Sequence, residues 1–451
     1  MATFDKKAPG VYVEEISKLP PSVASVATAI PGFVGYTEKG TKNTAIRVES
    51  LIDFEEKFGY ACKIAISEED KINGLEYKLH ESMRLFYANG GGICYVVSVG
   101  NYTDAISNTA LETGISMLEP IDEVTMIVVP DAVSLEIDKL ASVQNAALAQ
   151  CLELKDRVAI LDVKDTGNCN TDATNFRNSI GTKGASYGAA YYPYIKSVYD
   201  REINVYDIYK GLELSNQELE NAQYYAELSE PTEESTLFAK QLMSKPEYAK
   251  LVAKIQEQAN LLPPSGAIAG IYCANDNQRG VWHAPANMSV SGISDINVRI
   301  SDKQQGELNE NTSGKCINAI RAFQGKGILV WGARTLDGLS SEWKYISVRR
   351  FFNYVEESIQ ESTAWAVFQP NDANTWVKVR CQIENFLSNL WRDGALAGST
   401  PQEAFYVRVG INQTMTAQDI LNGYMIVEIG MAAVRPAEFI VLQFSHKLQE
   451  S

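Results

Sequence analysis

The sequence predicts an α/β region followed by an α+β region, with extended peptide at both ends of a 451-residue chain. Three observations carry this expectation. Short apolar runs alternate with helical stretches from Phe33 to about Ile195, as they do in a layered α/β fold. The last third turns to amphipathic helices followed by short strand-like runs. Both termini carry β-forming segments bounded by proline. The length also exceeds what one hydrophobic core usually serves, so several domains are expected.

In chain order, Pro9-Gly10 opens the extended run Val11-Tyr12-Val13-Glu14-Glu15-Ile16, and Pro20-Pro21 and Pro31-Gly32 interrupt the chain beyond it. Residues 1–31 therefore read as an arm. Alternation points Val11, Val13 and Glu15 one way and Tyr12, Glu14 and Ile16 the other. Neither face is apolar enough to anchor the segment alone, so its backbone is expected to pair with a sheet elsewhere.

Residues 32–270 read as an α/β domain. Its candidate strands are residues 93–99, 124–129, 158–163 and 185–192, and its candidate helices cover 76–88 and 142–154. Continuous apolar runs such as Met126-Ile127-Val128-Val129 suggest strands covered on both faces, hence a parallel or mixed sheet. Two of these strands end near an aspartate, Asp131 and Asp162. From about 196 to 260 the composition becomes polar and helical. Seven glutamates and no Lys or Arg lie between Glu213 and Glu234, which reads as a solvated acidic insertion. Leu261-Leu262-Pro263-Pro264-Ser265-Gly266 then marks a boundary.

Residues 271–430 read as a compact α+β domain. A helix over 343–359 places Ile346, Phe351, Val355 and Ile359 at helical spacing. A second is capped by Asp372, carries the stripe Trp376, Val379, Ile383, Phe386, Leu387 and Leu390, and ends at Gly394. Thr416 with Asp419 forms a capping box for a third. Strand-like runs cover 405–409, 425–429 and 439–444, the last in a C-terminal strand arm, residues 431–451.

Composition excludes several classes of partner. The formal charge of −16 disfavours nucleic acid and anionic membrane, both of which demand a cationic face. No apolar run approaches membrane-spanning length, and residues 1–7 lack the pattern of a secretory signal, so a cytoplasmic origin is expected. Seven cysteines, never in a C-x-x-C pair, argue against a disulfide framework or a zinc site.

No catalytic constellation emerges. The only histidines, His80, His283 and His446, are scattered. Gly184-Ala185-Ser186-Tyr187-Gly188 has the letters of a nucleophile elbow, but a strand-like aromatic run follows where a helix should begin. Gly314-Lys315-Cys316 fails as a P-loop because Asn309 replaces the first glycine and Cys316 the final Ser or Thr. Glycines 90 to 92 precede a strand, whereas a dinucleotide fingerprint follows one. Asp131 and Asp162 read as turn or helix caps. The sequence implies no enzyme, cofactor or metal site.

The ends are more informative. Pro436-Ala437-Glu438-Phe439-Ile440-Val441-Leu442-Gln443-Phe444 is strongly strand-forming, and with the N-terminal run it suggests a linker that adds strands to neighbouring copies. The candidate interface residues are Val11, Tyr12, Val13, Glu15 and Ile16 in one arm and Phe439, Ile440, Val441, Leu442 and Phe444 in the other.

Pro9-Gly10-Val11-Tyr12-Val13-Glu14-Glu15 resembles the N-terminal signature of contractile tail sheath proteins of phages and bacterial injection systems. Four further blocks agree in order. They are Gly280-Val281-Trp282-His283-Ala284-Pro285-Ala286-Asn287, Trp331-Gly332-Ala333-Arg334-Thr335-Leu336, Phe368-Gln369-Pro370-Asn371-Asp372, and Ile426-Val427-Glu428-Ile429-Gly430 leading into Pro436-Ala437-Glu438-Phe439. One departure is visible: relatives usually carry an acidic segment after Phe405-Tyr406-Val407, where this chain has Arg408-Val409-Gly410-Ile411-Asn412-Gln413.

The resemblance implies a homopolymer of stacked hexameric rings around an inner tube, held extended and contracting on a baseplate trigger. Arms of neighbouring subunits would complete a sheet on the C-terminal domain. The α/β domain would lie outside and the α+β domain inside, facing the tube. Implied partners are other copies, the tube protein, baseplate and terminator or cap proteins, and a paralogous sheath subunit where one exists. Implied locations are the bacterial cytoplasm during assembly, then a phage tail or a cell-anchored or released particle. The alternatives are a cytosolic α/β enzyme with a divergent nucleotide site and a sheath-like terminator or cap.

Overall fold

The computed structural model describes residues 23–67, 71–228, 230–310 and 312–439. Two compact units divide the chain, one comprising Val26–Glu357 with the segment after Ala432, the other Ser358–Ala432 with the segment before Val26.

The larger unit is built on a nine-stranded mixed sheet. Its strands lie in the order Met288–Ser289, Gly327–Val330, Ile317–Phe323, Gly188–Tyr192, Val158–Asp162, Met126–Val128, Pro31–Tyr36, Cys94–Gly100 and Ala45–Val48. The strands from Ile317–Phe323 through Cys94–Gly100 run parallel, with registers such as Gly32↔Tyr95, Pro31↔Met126 and Ile127↔Ala159. The outer strands are antiparallel. The chain starts in the middle at Pro31–Tyr36, goes to one side at Cys94–Gly100, then crosses to the other at Met126–Val128. This is a doubly wound order.

Alternation on the strands feeds two cores. Phe33, Val96, Met126, Ile160 and Tyr191 pack on one face with Leu79, Met83 and Phe86 of the helix Leu79–Ala88 and Ile268 and Tyr272 of the helix Ser265–Arg279. Val34, Val97, Ile127, Leu161 and Ala190 pack on the other with the helices Asn108–Ser116, Ile137–Leu154 and Cys169–Ser179. Both faces are covered, which is why these strands read as unbroken apolar runs. Each fully buried aliphatic side chain contributes roughly 1.5–3 kcal/mol.

Two strands are shorter than the sequence suggested. Pro130 opens a 3-10 turn that ends Met126–Val128 early. Ala185–Tyr187 is another such turn, entered through Gly184 at φ 74°, so the strand begins only at Gly188. The helix Ser265–Arg279 runs through the position where the sequence suggested a domain boundary, and later strands return to the same sheet.

The acidic stretch folds into the helices Asn216–Ala226, Glu233–Met243 and Pro246–Ala259. They share a small core with Val205, Tyr209, Ala222, Phe238 and Leu242. Part of the acidity serves the helix starts. Glu218 closes a capping box with Ser215 and reaches Lys245 at 2.9 Å, and Glu233 and Glu234 occupy a first turn, where the helix dipole favours anions.

In the smaller unit, the helix Ala373–Arg392 begins where the Asp372 side chain accepts from the Thr375 N–H at 3.0 Å, and Val379, Ile383, Phe386, Leu387 and Leu390 are buried along it. Phe405–Arg408 pairs antiparallel with Glu428–Met431 in a two-stranded ribbon. The short helix Ala417–Leu421 starts at the capping box of Thr416 and Asp419. Among the described residues no helix is long and apolar enough to cross a membrane.

Candidate assembly site

Ligands of doubly wound sheets usually sit beyond the strand ends at the point where the strand order reverses. Here that place is filled from within. Asp131 follows Met126–Val128, is fully buried, and accepts from the backbone N–H groups of Tyr36 (2.7 Å), Lys78 (2.5 Å) and Leu79 (2.9 Å). Its carboxylate thus occupies the start of the helix Leu79–Ala88, the spot an external anion would take. It comes so close that a Cβ on Gly35 would lie 2.5 Å from Oδ2. Burial pushes the Asp131 carboxyl up to about 6, against the pull of its three donors.

Asp162 is likewise consumed. It accepts from the Ser265 N–H at 2.9 Å and the Ser265 hydroxyl at 2.5 Å, tying a strand end to the start of the helix Ser265–Arg279, and burial raises it to about 7. Lys315 donates to the Arg177 and Ile180 carbonyls, where the helix Cys169–Ser179 ends. Ser186 precedes its strand instead of following one, so the elbow geometry is absent. His80 is buried beside Glu55 at 3.3 Å, and His283 is exposed. Among the described residues no cluster of three His, Cys, Asp or Glu is placed to hold a metal ion, and all seven cysteines are free thiols.

The polar residues left over gather elsewhere. Three of the five sequence blocks meet on one cavity of about 630 Å³, to which Ala284, Ala286, Trp331, Ala333 and residues 436–439 contribute walls. Beside it lies Arg334, whose side chain is 2 % exposed. Its guanidinium donates to both oxygens of Glu438, from Nε at 3.0 and 3.1 Å and from Nη2 at 2.6 Å, and from Nη1 to the Asn309 carbonyl at 3.0 Å. The Tyr345 hydroxyl donates to the same carboxylate at 3.2 Å. Hydrogen bonding to Glu438 holds Arg334 above its ordinary range, against the opposing effect of burial. A forked guanidinium fits a carboxylate at two points, which a lysine does not.

The fourth block and the first part of the fifth lie in the smaller unit, and the first block, residues 9–15, falls outside the described residues. The Asn371 side chain accepts from Trp376 Nε1 at 2.7 Å and donates to the Tyr424 carbonyl at 2.9 Å, next to the strand that carries Glu428-Ile429-Gly430. The register sets Tyr406 opposite Gly430. The tyrosine ring covers that glycine so closely that a Cβ would lie 2.2 Å from Cε1. The ring's hydroxyl donates to Glu428 at 2.8 Å, and the Arg408 guanidinium sits 4.6 Å from its centroid. Within the described residues each strand of this ribbon has one ladder partner, leaving an outer edge on each side.

Of the ten residues singled out for the arms, Val11, Tyr12, Val13, Glu15, Ile16, Ile440, Val441, Leu442 and Phe444 lie outside the described residues. Phe439 is described; it is 72 % exposed and stands at the cavity beside Glu438. The pairing of Arg334 with Glu438 is the feature that sequence reasoning missed. Its one available signal was a lone glutamate in an otherwise apolar run and a lone arginine in another block.

Comparison with known proteins agrees with this layout. The profile of the phage tail sheath protein central domain matches residues 104–336, and that of the phage tail sheath C-terminal domain matches 340–447. The fold superposes on the sheath of an extracellular contractile injection system, a PVC sheath complex in the contracted state, with TM-score 0.68, 31 % identity and 99 % of each chain covered. It superposes on the contracted helical sheath of the anti-feeding prophage with TM-score 0.67 and 30 % identity, over 97 % of this chain and 99 % of that one. A tail sheath protein of Vibrio phage KVP40 is 23 % identical over 192 residues, 42 % of this chain. That match spans only 27 % of the phage protein's length. The matched profiles and the end-to-end superposition agree: the chain belongs to the contractile tail sheath family.

Proposed function

We propose that this chain is the polymerising subunit of a contractile sheath, stacking as hexameric rings around an inner tube and shortening to drive that tube through a target envelope. The observation that carries this reading is the end-to-end likeness, at 31 % identity, to a sheath captured in its contracted state. Residues 1–31 and 431–451 act as arms that link neighbouring copies. The chain performs no catalysis in this role. The work comes from subunit contacts that are stronger in the contracted arrangement than in the extended one.

The ribbon supports the arm mechanism. Each strand of the ribbon has one ladder partner among the described residues, so the open edges of Phe405–Arg408 and Glu428–Met431 suit strands lent by neighbouring copies. Extended links of this kind stay bonded while the bodies they join rotate. Besides other copies, the subunit's partners are the tube protein, baseplate proteins and a terminator; the anti-feeding prophage chain at 30 % identity comes from a baseplate structure. Deleting residues 1–16 tests this. Negative-stain microscopy should show tubes from the full chain and dispersed subunits from the truncated one. Long sheaths without residues 1–16 overturn the arm mechanism.

A further inference from the structure

Peptide that leaves a folded body and carries load needs a fixed root; otherwise tension peels the segment away before it moves the body. The C-terminal segment has such a root at Glu438. Its carboxylate is 20 % exposed and is gripped at both oxygens by a guanidinium that is itself 2 % exposed. The grip is held in turn by Asn318, which is fully buried. The Arg334 N–H donates to Asn318 Oδ1 at 2.7 Å, and Asn318 Nδ2 donates to the Arg334 carbonyl at 2.8 Å and to the Ala190 carbonyl at 3.1 Å. Asn318 sits in Ile317–Phe323 and Ala190 in Gly188–Tyr192, two adjacent parallel strands of the central sheet. An unbroken line of hydrogen bonds thus runs from residue 438 to residue 190. Arg334 also bridges Tyr345, whose hydroxyl meets the same carboxylate, so the receptor is braced on two sides.

We infer that Arg334, seated by Asn318, is the positioning residue of the C-terminal arm: it fixes the arm's root through Glu438 and delivers tension on the arm to the central sheet. The inference rests on the proposed arm mechanism and names the residues through which it works. A carboxylate held by two parallel N–H bonds resists both sliding and rotation, which a single point contact does not.

The test uses the full-length chain and three variants, Glu438→Gln, Glu438→Asp and Arg334→Lys. Chymotrypsin cleavage after Phe439 on the unpolymerised chain reads the joint directly, because the protease must draw the exposed Phe439 and its neighbours off the body. Glu438→Gln should speed that cut at least tenfold, with hydrogen exchange at Ile317–Phe323 unchanged. Glu438→Asp should restore part of the protection, and Arg334→Lys should fall between, because it keeps the charge and loses the fork. Negative-stain microscopy then reads assembly, where Glu438→Gln should give short or absent tubes. An unchanged rate of cleavage after Phe439 overturns the joint. So does a variant whose root is cut freely while its tubes keep normal length, since the pair would then be packing alone. Failure of the unmutated chain to form tubes counts against the sheath reading instead, and leaves the cleavage result to decide the joint.

Discussion

Replacing Gly430 by alanine is a small change with a calculable cost. The added methyl would sit 2.2 Å from Tyr406 Cε1 and 2.5 Å from Cζ, so the ring must swing off the ribbon. Three contacts go with it: the hydroxyl's bond to Glu428, the stacking of Arg408 and the cross-strand pair itself. Tyr406 is 44 % exposed, so each lies at the low end of its range. Roughly 0.5 kcal/mol for the hydrogen bond, 0.5 for the cation–π contact and 0.5–1 for the pair sum to about 1.5–2 kcal/mol. That is about ten- to thirtyfold in the opening equilibrium of a two-stranded ribbon. Hydrogen exchange on the full chain should show faster exchange at Phe405–Arg408 and Glu428–Met431 and none at Cys94–Gly100, which belongs to the other unit. Tubes should shorten if neighbouring arms dock on this ribbon. Unchanged ribbon exchange, or acceleration spread equally through the nine-stranded sheet, would refute the reasoning.

The remaining predictions concern the two buried plugs and one helix start. Asp131→Asn keeps one oxygen for two of the three backbone donors and turns an amide N–H against the third, so urea unfolding should reveal a loss of about 1–3 kcal/mol. Asp162 titrates near 7 in the folded chain, above its unfolded value near 3.8, so the folded state holds the proton more tightly. That stabilisation is complete below pH 4 and disappears as pH rises through 7. The stability of the unmutated chain relative to Asp162→Asn should therefore fall by up to about 4 kcal/mol between pH 4 and pH 8 in paired urea titrations. A flat difference would show that burial does not perturb this carboxyl. Asp372→Ala removes the cap of Ala373–Arg392 and should cost about 1 kcal/mol in the smaller unit, read as a lower melting temperature.

Much of the fold was legible because local rules and tertiary structure agree. Four of the six parallel strands could be read as apolar runs, since both their faces are covered, whereas Pro31–Tyr36, interrupted by glycines, and Ile317–Phe323, interrupted by Asn318 and Arg321, were not legible in that way. The long helix after Asp372 and the short one after Thr416 announced themselves through caps that the structure reproduces. The strands at Met288–Ser289 and Gly327–Val330 could not be read in the same way, because they are short and antiparallel and are defined by their neighbours in the sheet. Leu261–Leu262 looked like a break and is a two-residue strand against Ile195–Ser197, which no window of sequence can anticipate. At the assembly site the blocks were visible and their meeting was not. Arg334 and Glu438 are 104 positions apart, and side-chain pairing at that separation leaves no periodic trace. Asp131 and Asp162 were noticed as strand-end aspartates; what each one holds emerged only from the fold.

In the proposed sheath role, the two plugs and the arm joint answer two different requirements. A doubly wound sheet normally leaves its reversal point open for a ligand, and lids around such points move. Here Asp131 bonds a strand and a helix start across that point, and Asp162 bonds another pair, so the crevice is closed by the chain's own backbone and hydroxyl groups. In the proposed mechanism such a unit turns as one body, and the arms that link neighbouring copies transmit force only if their roots stay put. Plug variants should therefore lower stability while the folded fraction still builds tubes of normal length, whereas Glu438→Gln, which leaves the buried Arg334 charge without its partner, should spoil the tubes at an equal loss of stability. Plotting tube length against melting temperature for both sets puts them on different lines; a single line through all of them would mean that stability alone governs assembly.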